Sequence, residues 1–381
     1  MTARGFYTLF TGALMLVTAL SVGSAGAFLL GIAALAAWVL SLVCVLLAFF
    51  SCRISQEIPG GEAQRGSVCR YLLRVQLFLP LPIAPLSLTV SLPSGRQSEF
   101  LLSTRLFGVT QSENDFSCPH VGIFPVGVRQ IGFSDCFGLF SLRHRVRAPL
   151  PDLAVLPRPA RTAPVSFSPG EGESTSTQRA QADRSTPADI RAWQEGDELK
   201  RVHWKLSMRR QELMVHTYET PQRPDALVLL NCALGDIAGP QRLTMVDVLT
   251  ESCAGILKRL LEDGHTTRLP LSGRTLREYS GQNSEALPDM LRALAQEPFD
   301  GAPEFARVIW DSARRMQRTG STVLLSCDLT PAIADAAIAI SRMGPHTRFT
   351  LVTAGDATPD QRKLLDLLLA SGLEATHISA A

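Results

Sequence analysis

The sequence predicts two N-terminal transmembrane helices, a β-sandwich-like domain and a C-terminal doubly wound α/β domain. Two long apolar stretches open the chain, short alternating segments follow, and buried apolar strands then alternate with helical segments. The 381 residues are enough for about two soluble domains beyond the membrane part. We divide the chain into a transmembrane hairpin (1–52), a β-rich domain (53–160), a flexible loop (161–188), a charged segment (189–222) and an α/β domain (223–381).

Charge and cysteine usage narrow the class of protein. The chain has 37 Lys and Arg residues against 35 Asp and Glu residues, so no overall charge favours nucleic acid. No cysteine belongs to a C-x-x-C pair or has zinc-site spacing to histidine. Scattered single cysteines are typical of reduced thiols, which favours a cytoplasmic soluble body. The eight cysteines are Cys44, Cys52, Cys69, Cys118, Cys136, Cys232, Cys253 and Cys327.

The apolar stretches cover residues 6–22 and 28–50. A bilayer core requires about 20 apolar residues as helix, so both are long enough to span it. Residues 23–26 allow only a tight reversal between them. A cleaved signal peptide with an A-x-A site at Ala25-Gly26-Ala27 is the alternative interpretation.

Flanking charge predicts the orientation. Arg4 precedes the first span, Arg53 follows the second, and the turn between them is uncharged. The positive-inside rule then puts both ends in the cytoplasm. We therefore expect a protein of the cytoplasmic (inner) membrane with two spans and a cytoplasmic body.

The β-rich domain is predicted from strand-like alternation. Residues 86–92 alternate strictly between apolar and polar, and residues 71–79, 121–124, 126–133 and 153–156 are further candidate strands. Several short strands in about 90 residues predict a small β-sandwich. The turn at residues 135–140 is structural punctuation by itself. Residues 161–188, which contain a polar run at 168–177, are predicted to be a mobile surface loop.

The segment from Asp189 to Arg210 is densely charged and contains two tryptophans. Thr186 and Pro187 predict a helix start, and Asp197 is placed to cap a second helix. Three interpretations stay open: internal ion pairs with Trp packing, a partner-binding surface, and RNA or phosphate binding, which the interleaved acids oppose. The candidate residues are Asp189, Arg191, Trp193, Gly196, Asp197, Arg201, His203, Trp204, Lys205 and Ser207.

This run resembles the signature of the bacterial family called domain of unknown function 58. The turn Asp135-Cys136-Phe137-Gly138-Leu139-Phe140 is similar to that family's D-P-x-G-L-F turn, with Cys136 where proline is common. The resemblance implies two spans, a β domain and a von Willebrand factor A-like domain. It also implies a poorly defined assembly or chaperone-like role beside MoxR-type AAA+ ATPases.

A von Willebrand factor A-like domain holds a divalent cation through D-x-S-x-S after its first strand. The matching positions here are Asn231, Ala233 and Gly235, so the charge and both hydroxyls are missing. Asp328 could match another position of such a site, although a helix cap or loop role is the simpler interpretation. The sequence therefore predicts no bound metal and no cofactor.

No catalytic constellation is recognisable. The seven histidines lie outside G-x-S-x-G or H-E-x-x-H settings, and His203 is expected to pack beside Trp204. The leading hypothesis is a membrane-anchored, non-catalytic assembly factor that binds a cytoplasmic AAA+ ATPase. The alternatives are an outward-facing adhesion or binding module and, as a weaker one, a hydrolase.

Overall fold

The structure is a computed structural model. It describes residues 2–78, 83–93, 95, 97–103, 108–146, 149–166, 189–194, 202–217, 224–235, 237, 239–273, 275–300, 303–316 and 319–380. The chain divides into two compact units, residues 1–157 and 158–381. Each unit has its own core, and each is described by itself.

Two apolar helices open the first unit, α1 (Ala3–Val22) and α2 (Ala25–Ser51). The side chain of Ser24 caps α2, and α1 ends at Gly23, whose φ of 68° suits glycine. The helices pack closely because Gly31 faces Leu16: a Cβ on Gly31 would lie 2.9 Å from the Leu16 Cγ. Both have the length and composition to cross a bilayer, as the sequence predicted, and they are compatible with membrane anchoring.

A sheet-rich region follows. Two three-stranded sheets have the orders β1-β3-β6 and β2-β10-β7, and a four-stranded sheet has the order β5-β4-β8-β9. All pairings are antiparallel except β10 with β2. The strands are β1 (Cys52–Glu57), β2 (Glu62–Gln64), β3 (Val68–Leu77), β4 (Leu86–Ser91), β5 (Gln97–Leu102), β6 (Gly108–Ser117), β7 (Gly122–Pro125), β8 (Gly127–Ser134), β9 (Ser141–Arg145) and β10 (Asp152–Leu156).

The second helix is part of the core of this region. Val45 and Ala48 of α2 are buried in the same apolar cluster as residues of β3, β4, β8 and β10. The ring of Phe49 lies 6.0 Å from that of Phe133 and 4.9 Å from that of His144, both edge to face. The last turns of α2 are therefore fixed to the strands that follow it.

The second unit contains a mixed α/β domain. Its six-stranded sheet has the order β15-β14-β13-β16-β17-β18, parallel except for the edge strand β15. The strands are β13 (Asp225–Leu230), β14 (Thr267–Ser272), β15 (Leu276–Gly281), β16 (Thr319–Ser326), β17 (His346–Thr353) and β18 (Glu374–Ser379). Two apolar clusters pack on it; one includes residues of the helix Pro240–Glu262, and the other includes residues of the helices Phe305–Ala313 and Pro331–Arg342.

The described part of this unit also contains a two-stranded antiparallel sheet and six α-helices. The two-stranded sheet pairs β11 (Asp189–Ala192) with β12 (Met214–Thr217). The helices are α3 (Trp204–Arg210), α4 (Pro240–Glu262), α5 (Leu287–Gln296), α6 (Phe305–Ala313), α7 (Pro331–Arg342) and α8 (Pro359–Ala370).

Two local expectations about the charged segment are corrected. Residues 189–192 form a strand and not the start of a helix, because their backbone pairs with β12. The second predicted helix begins at Trp204, since Val202 is instead bridged to Val215. The loop predicted at 161–188 is anchored at its start, where Arg348 donates hydrogen bonds to the carbonyls of Ala163 and Pro164; residues 167–188 lie outside the described residues.

Candidate functional site

The charged segment is built on the two-stranded sheet of β11 and β12. Arg191 pairs with Val215 in its register, and the Trp193 amide donates to the Leu213 carbonyl at 2.7 Å. Alternation of Ile190 and Ala192 with their charged neighbours fits a strand, because a strand turns successive side chains to opposite faces. The sheet places residues 193 and 213 side by side, at the beginning and the end of the segment that connects its two strands.

The hydrogen bonds of two polar side chains fix the helix α3 against this two-stranded sheet. The His203 Nδ1 accepts a hydrogen bond from the Leu206 amide at 3.1 Å and so caps the helix. Ser207 is buried; its hydroxyl accepts from the Met214 amide at 2.9 Å and donates to the His203 carbonyl at 3.0 Å. His203 and Ser207 therefore fix the helix orientation.

The outer face of α3 is apolar and basic. Trp204 is 61% exposed and Met208 is 82% exposed, although both are large apolar side chains. They are separated by four positions, so they lie on one side of the helix. Lys205, Arg209 and Arg210 are exposed too, and α3 contains no acidic residue. The helix thus presents an exposed aromatic and thioether pair together with exposed cations.

The predicted ion-pair cluster stays a prediction. Asp189 and Arg191 are described only as backbone in β11, and Gly196, Asp197 and Arg201 lie outside the described residues. Trp193 is half-buried and Trp204 is exposed, so the two tryptophans have different environments.

A second candidate region is the carboxyl edge of the α/β sheet, where β13 and β16 end. In this strand order the direction of winding reverses between these two strands, and such a switch point is a common ligand crevice. Asn231 follows β13 and is 3% exposed; its amide donates to the Ser326 hydroxyl at 2.9 Å. Its carbonyl oxygen accepts from the Ala233 amide at 2.9 Å.

The neighbouring positions are also used within the fold. The Ser326 hydroxyl donates to the Asp328 carbonyl, and the Asp328 carboxylate accepts from the Leu329 amide at 2.8 Å. Gly235 is in the left-handed region with φ 61°. Asp328 therefore has the loop role expected for it. Among the described residues, no three His, Cys, Asp or Glu side chains are arranged to hold a metal ion.

Glu297 lies at the same edge, and sequence reasoning missed it. Its Oε1 is buried and accepts no hydrogen bond from a described residue, and it occupies the space of a Cβ at Gly273. Burial raises the pKa of the Glu297 carboxyl, and Asp300 adds to this while Arg277 opposes it. No local sequence signal marks Glu297, because the burial arises from contact with a distant loop.

The thiols beside this edge are unreactive in character. Burial raises the pKa of Cys232 to about 12 and that of Cys327 to about 11. Both are therefore protonated at neutral pH, whereas a nucleophilic cysteine needs a depressed pKa. Their chemistry favours a packing role.

Residues 189–355 match the family model described as protein of unknown function DUF58. This segment belongs to the DUF58 family. The match begins at the first residue of β11 and extends past β17, so it covers the two-stranded sheet, α3 and most of the α/β sheet. The family membership predicted from the charged run is thereby confirmed. The family's description assigns no function to the segment.

Other comparisons give weak likenesses. Cwp6 from Clostridium difficile matches at 10% identity with a TM-score of 0.21, over 86% of this chain and 37% of that one. The β-glucuronidase of Parabacteroides merdae matches at 8% identity with a TM-score of 0.19, over 86% and 39%. The chain thus spans under two fifths of either structure's length, and these scores carry no conclusion about its fold. No curated protein matches the chain.

Proposed function

We propose that this chain is a membrane-anchored, non-catalytic assembly or chaperone-like factor. It binds a cytoplasmic AAA+ ATPase of the MoxR type through its DUF58 segment. The observation that carries the proposal is the exposed pair Trp204 and Met208 on α3, within the matched segment. Tryptophan is enriched among residues that dominate binding energy, and methionine adapts to irregular apolar surfaces.

The chemistry of α3 specifies the partner surface. Lys205, Arg209 and Arg210 are exposed on the same short helix as the apolar pair, so the complementary surface is an apolar pocket with carboxylates beside it. The internal hydrogen bonds of His203 and Ser207 hold the helix in place before binding, which lowers the ordering cost of association. We expect the complex to weaken as salt concentration rises.

The α/β domain supports a von Willebrand factor A-like fold. Renumbered within the domain, its strand order is 3-2-1-4-5-6 with strand 3 antiparallel. An adhesion module of that class needs a cation at the carboxyl edge, whereas Asn231 uses both ends of its amide within the fold. These contacts favour a protein-binding scaffold over a metal-dependent adhesion module.

Affinity capture of the full-length protein from detergent-solubilised membranes, followed by mass spectrometry, tests the proposal. The docking variant carries Trp204→Ser and Met208→Ser. The control carries Leu276→Ser and Met343→Ser, two exposed apolar residues elsewhere in the same unit. We expect wild type and control to enrich an AAA+ ATPase, and the docking variant to lose at least about tenfold of it, equivalent to about 1.4 kcal/mol.

All three proteins should share one melting temperature, because each substitution is at an exposed side chain. Equal recovery of the ATPase by the docking variant would place the contact elsewhere. Absence of any AAA+ ATPase from the wild-type eluate would contradict the proposed partner.

A further inference from the structure

The turn at residues 135–140, called here the Phe137 turn, contacts both apolar helices. The Thr2 hydroxyl, which caps α1, also donates to the carbonyls of Gly138 at 2.6 Å and Leu139 at 2.8 Å. The Thr2 amide donates to the same Leu139 carbonyl at 3.0 Å. The beginning of α1 is therefore hydrogen-bonded to the turn between β8 and β9.

The turn itself is rigidly organised. Asp135 is 3% exposed, and its carboxylate accepts from the amides of Phe137 at 3.1 Å and Phe140 at 2.8 Å. Gly138 has φ 70°, a conformation that favours glycine. This backbone turns the Phe137 side chain outward, where it is 69% exposed.

The level of the turn along the helices can be read from its neighbours. Phe137 and Leu139 share a surface concavity of about 480 Å³ with Arg4, Tyr7, Thr8, Ala34 and Ala37. Ala34 and Ala37 lie in the middle of the 27-residue α2, more than three turns from its end at Ser51. The turn thus lies beside apolar helix surface and does not stop at the end of α2.

Aromatic residues mark the same level. The Trp38 ring lies 5.0 Å from that of Phe140, edge to face, and its Nε1 donates to the Gly5 carbonyl at 3.0 Å. Tyr7 is exposed on α1. Trp and Tyr concentrate at the boundary between headgroups and acyl chains, and an arginine such as Arg4 can extend its guanidinium to the headgroups.

The neighbouring edge strand shows a matching gradient. On β5 the exposed positions run Gln97, Glu99 and Leu101 towards the end of the sheet that carries the Phe137 turn. Leu101 is 78% exposed and is level with Gly132, three residues before Asp135, because both pair with Ser87. The exposed side chains of β5 therefore change from polar to apolar as this strand approaches the turn.

We propose that the Phe137 turn is immersed in the boundary between headgroups and acyl chains of the phospholipid bilayer. The sheet-rich region is then held on the membrane by its own apolar residues as well as by the two spans. This inference rests on the proposed membrane anchoring. The helix α1, about 30 Å long, matches the hydrocarbon thickness, so a turn beside Tyr7 and Ala34 falls within the bilayer surface.

Depth measurement with a small thiol-linked fluorophore on the full-length protein in phospholipid vesicles tests the proposal. In a Cys136→Ser background, the label is placed at Phe137→Cys, Val17→Cys or Asp115→Cys. Val17 is exposed in the second half of α1, five residues before its end, and Asp115 lies opposite Arg70, beyond the far end of β1. Wild type labelled at the exposed Cys136 repeats the reading in the native turn.

We expect the labels at 137 and 136 to be quenched by lipid-bound nitroxides at shallow depth and reduced by aqueous dithionite several-fold more slowly than the label at 115. The label at 17 should be quenched by lipid-bound nitroxides. A lipid-embedded label at 17 with water-exposed labels at 137 and 136 overturns this inference alone. A water-exposed label at 17 overturns the membrane anchoring and this inference together.

Discussion

Asn231 uses both ends of its amide at the carboxyl edge of the α/β sheet. Replacing it by alanine removes the donor to Ser326 and the acceptor for the Ala233 amide, both buried or nearly so. We expect Asn231→Ala to lower the free energy of unfolding by about 1–3 kcal/mol, measured by urea titration.

Asn231→Asp separates this structural role from a latent cation site. A buried carboxylate beside the Ser326 hydroxyl loses a donor, so the variant should be less stable than Asn231→Ala at pH 7 and recover on acidification. Millimolar Mg²⁺ or Ca²⁺ should leave the melting temperatures of wild type and variant unchanged. A saturable rise in either protein would show a cation site that the hydrogen bonds do not reveal, since 100-fold excess over Kd adds about 2.7 kcal/mol.

Glu297 gives a pH-dependent prediction. Burial raises the pKa of its carboxyl in the folded state, so the folded chain keeps this proton to higher pH than the unfolded chain does. The contribution of Glu297 to stability is therefore full in acid and is lost as pH rises through the raised pKa. Glu297→Gln should melt at a higher temperature than wild type at pH 7.5, with the difference shrinking towards pH 4. A difference that is constant with pH would rule out this titration.

At the scale of elements, the long apolar helices and the buried strands were predictable, because their periodicity lies within the local sequence. The alternating residues 86–92 contain β4, and the apolar stretches at residues 6–22 and 28–50 lie in α1 and α2. Edge and partner-dependent elements were not predictable. The strand at Asp189–Ala192 exists because β12 pairs with it, and β5 carries polar residues that a local pattern assigns to a loop.

The candidate sites divide in the same way. The charged run identified the family segment from sequence alone, and the residue types Trp204 and Lys205 suggested binding. Met208 was missed as part of the same face, although its spacing of four from Trp204 was visible. The Phe137 turn was read as punctuation because its contacts to Thr2 and Trp38 join residues about 100 or more positions apart.

The Phe137 turn supplies the prediction at this scale. Asp135→Ala removes an acceptor shared by two backbone amides, and we expect a loss of about 1–3 kcal/mol in unfolding of the first unit. Asp135→Asn keeps one acceptor and should lose less. Asp115→Ala is the matched exposed control and should be neutral. Equal effects of the alanine substitutions at 135 and 115 would contradict the bracing role of Asp135.

For the whole molecule, we propose a body that is anchored by two spans and faces the cytoplasm. Arg4 and Arg53 flank an uncharged turn, so the positive-inside rule gives this orientation. The orientation decides the function class, since an AAA+ partner is cytoplasmic and an adhesion module faces outward.

The most direct measurement is a topology reporter fused after residue 381 that is active only on the outer side of the cytoplasmic membrane. A matched fusion in the turn between the spans, at Ser24, serves as the positive control. With both ends in the cytoplasm, we expect the reporter to be silent after residue 381 and active at Ser24. Strong activity after residue 381 would contradict the cytoplasmic orientation and would favour an outward-facing binding module.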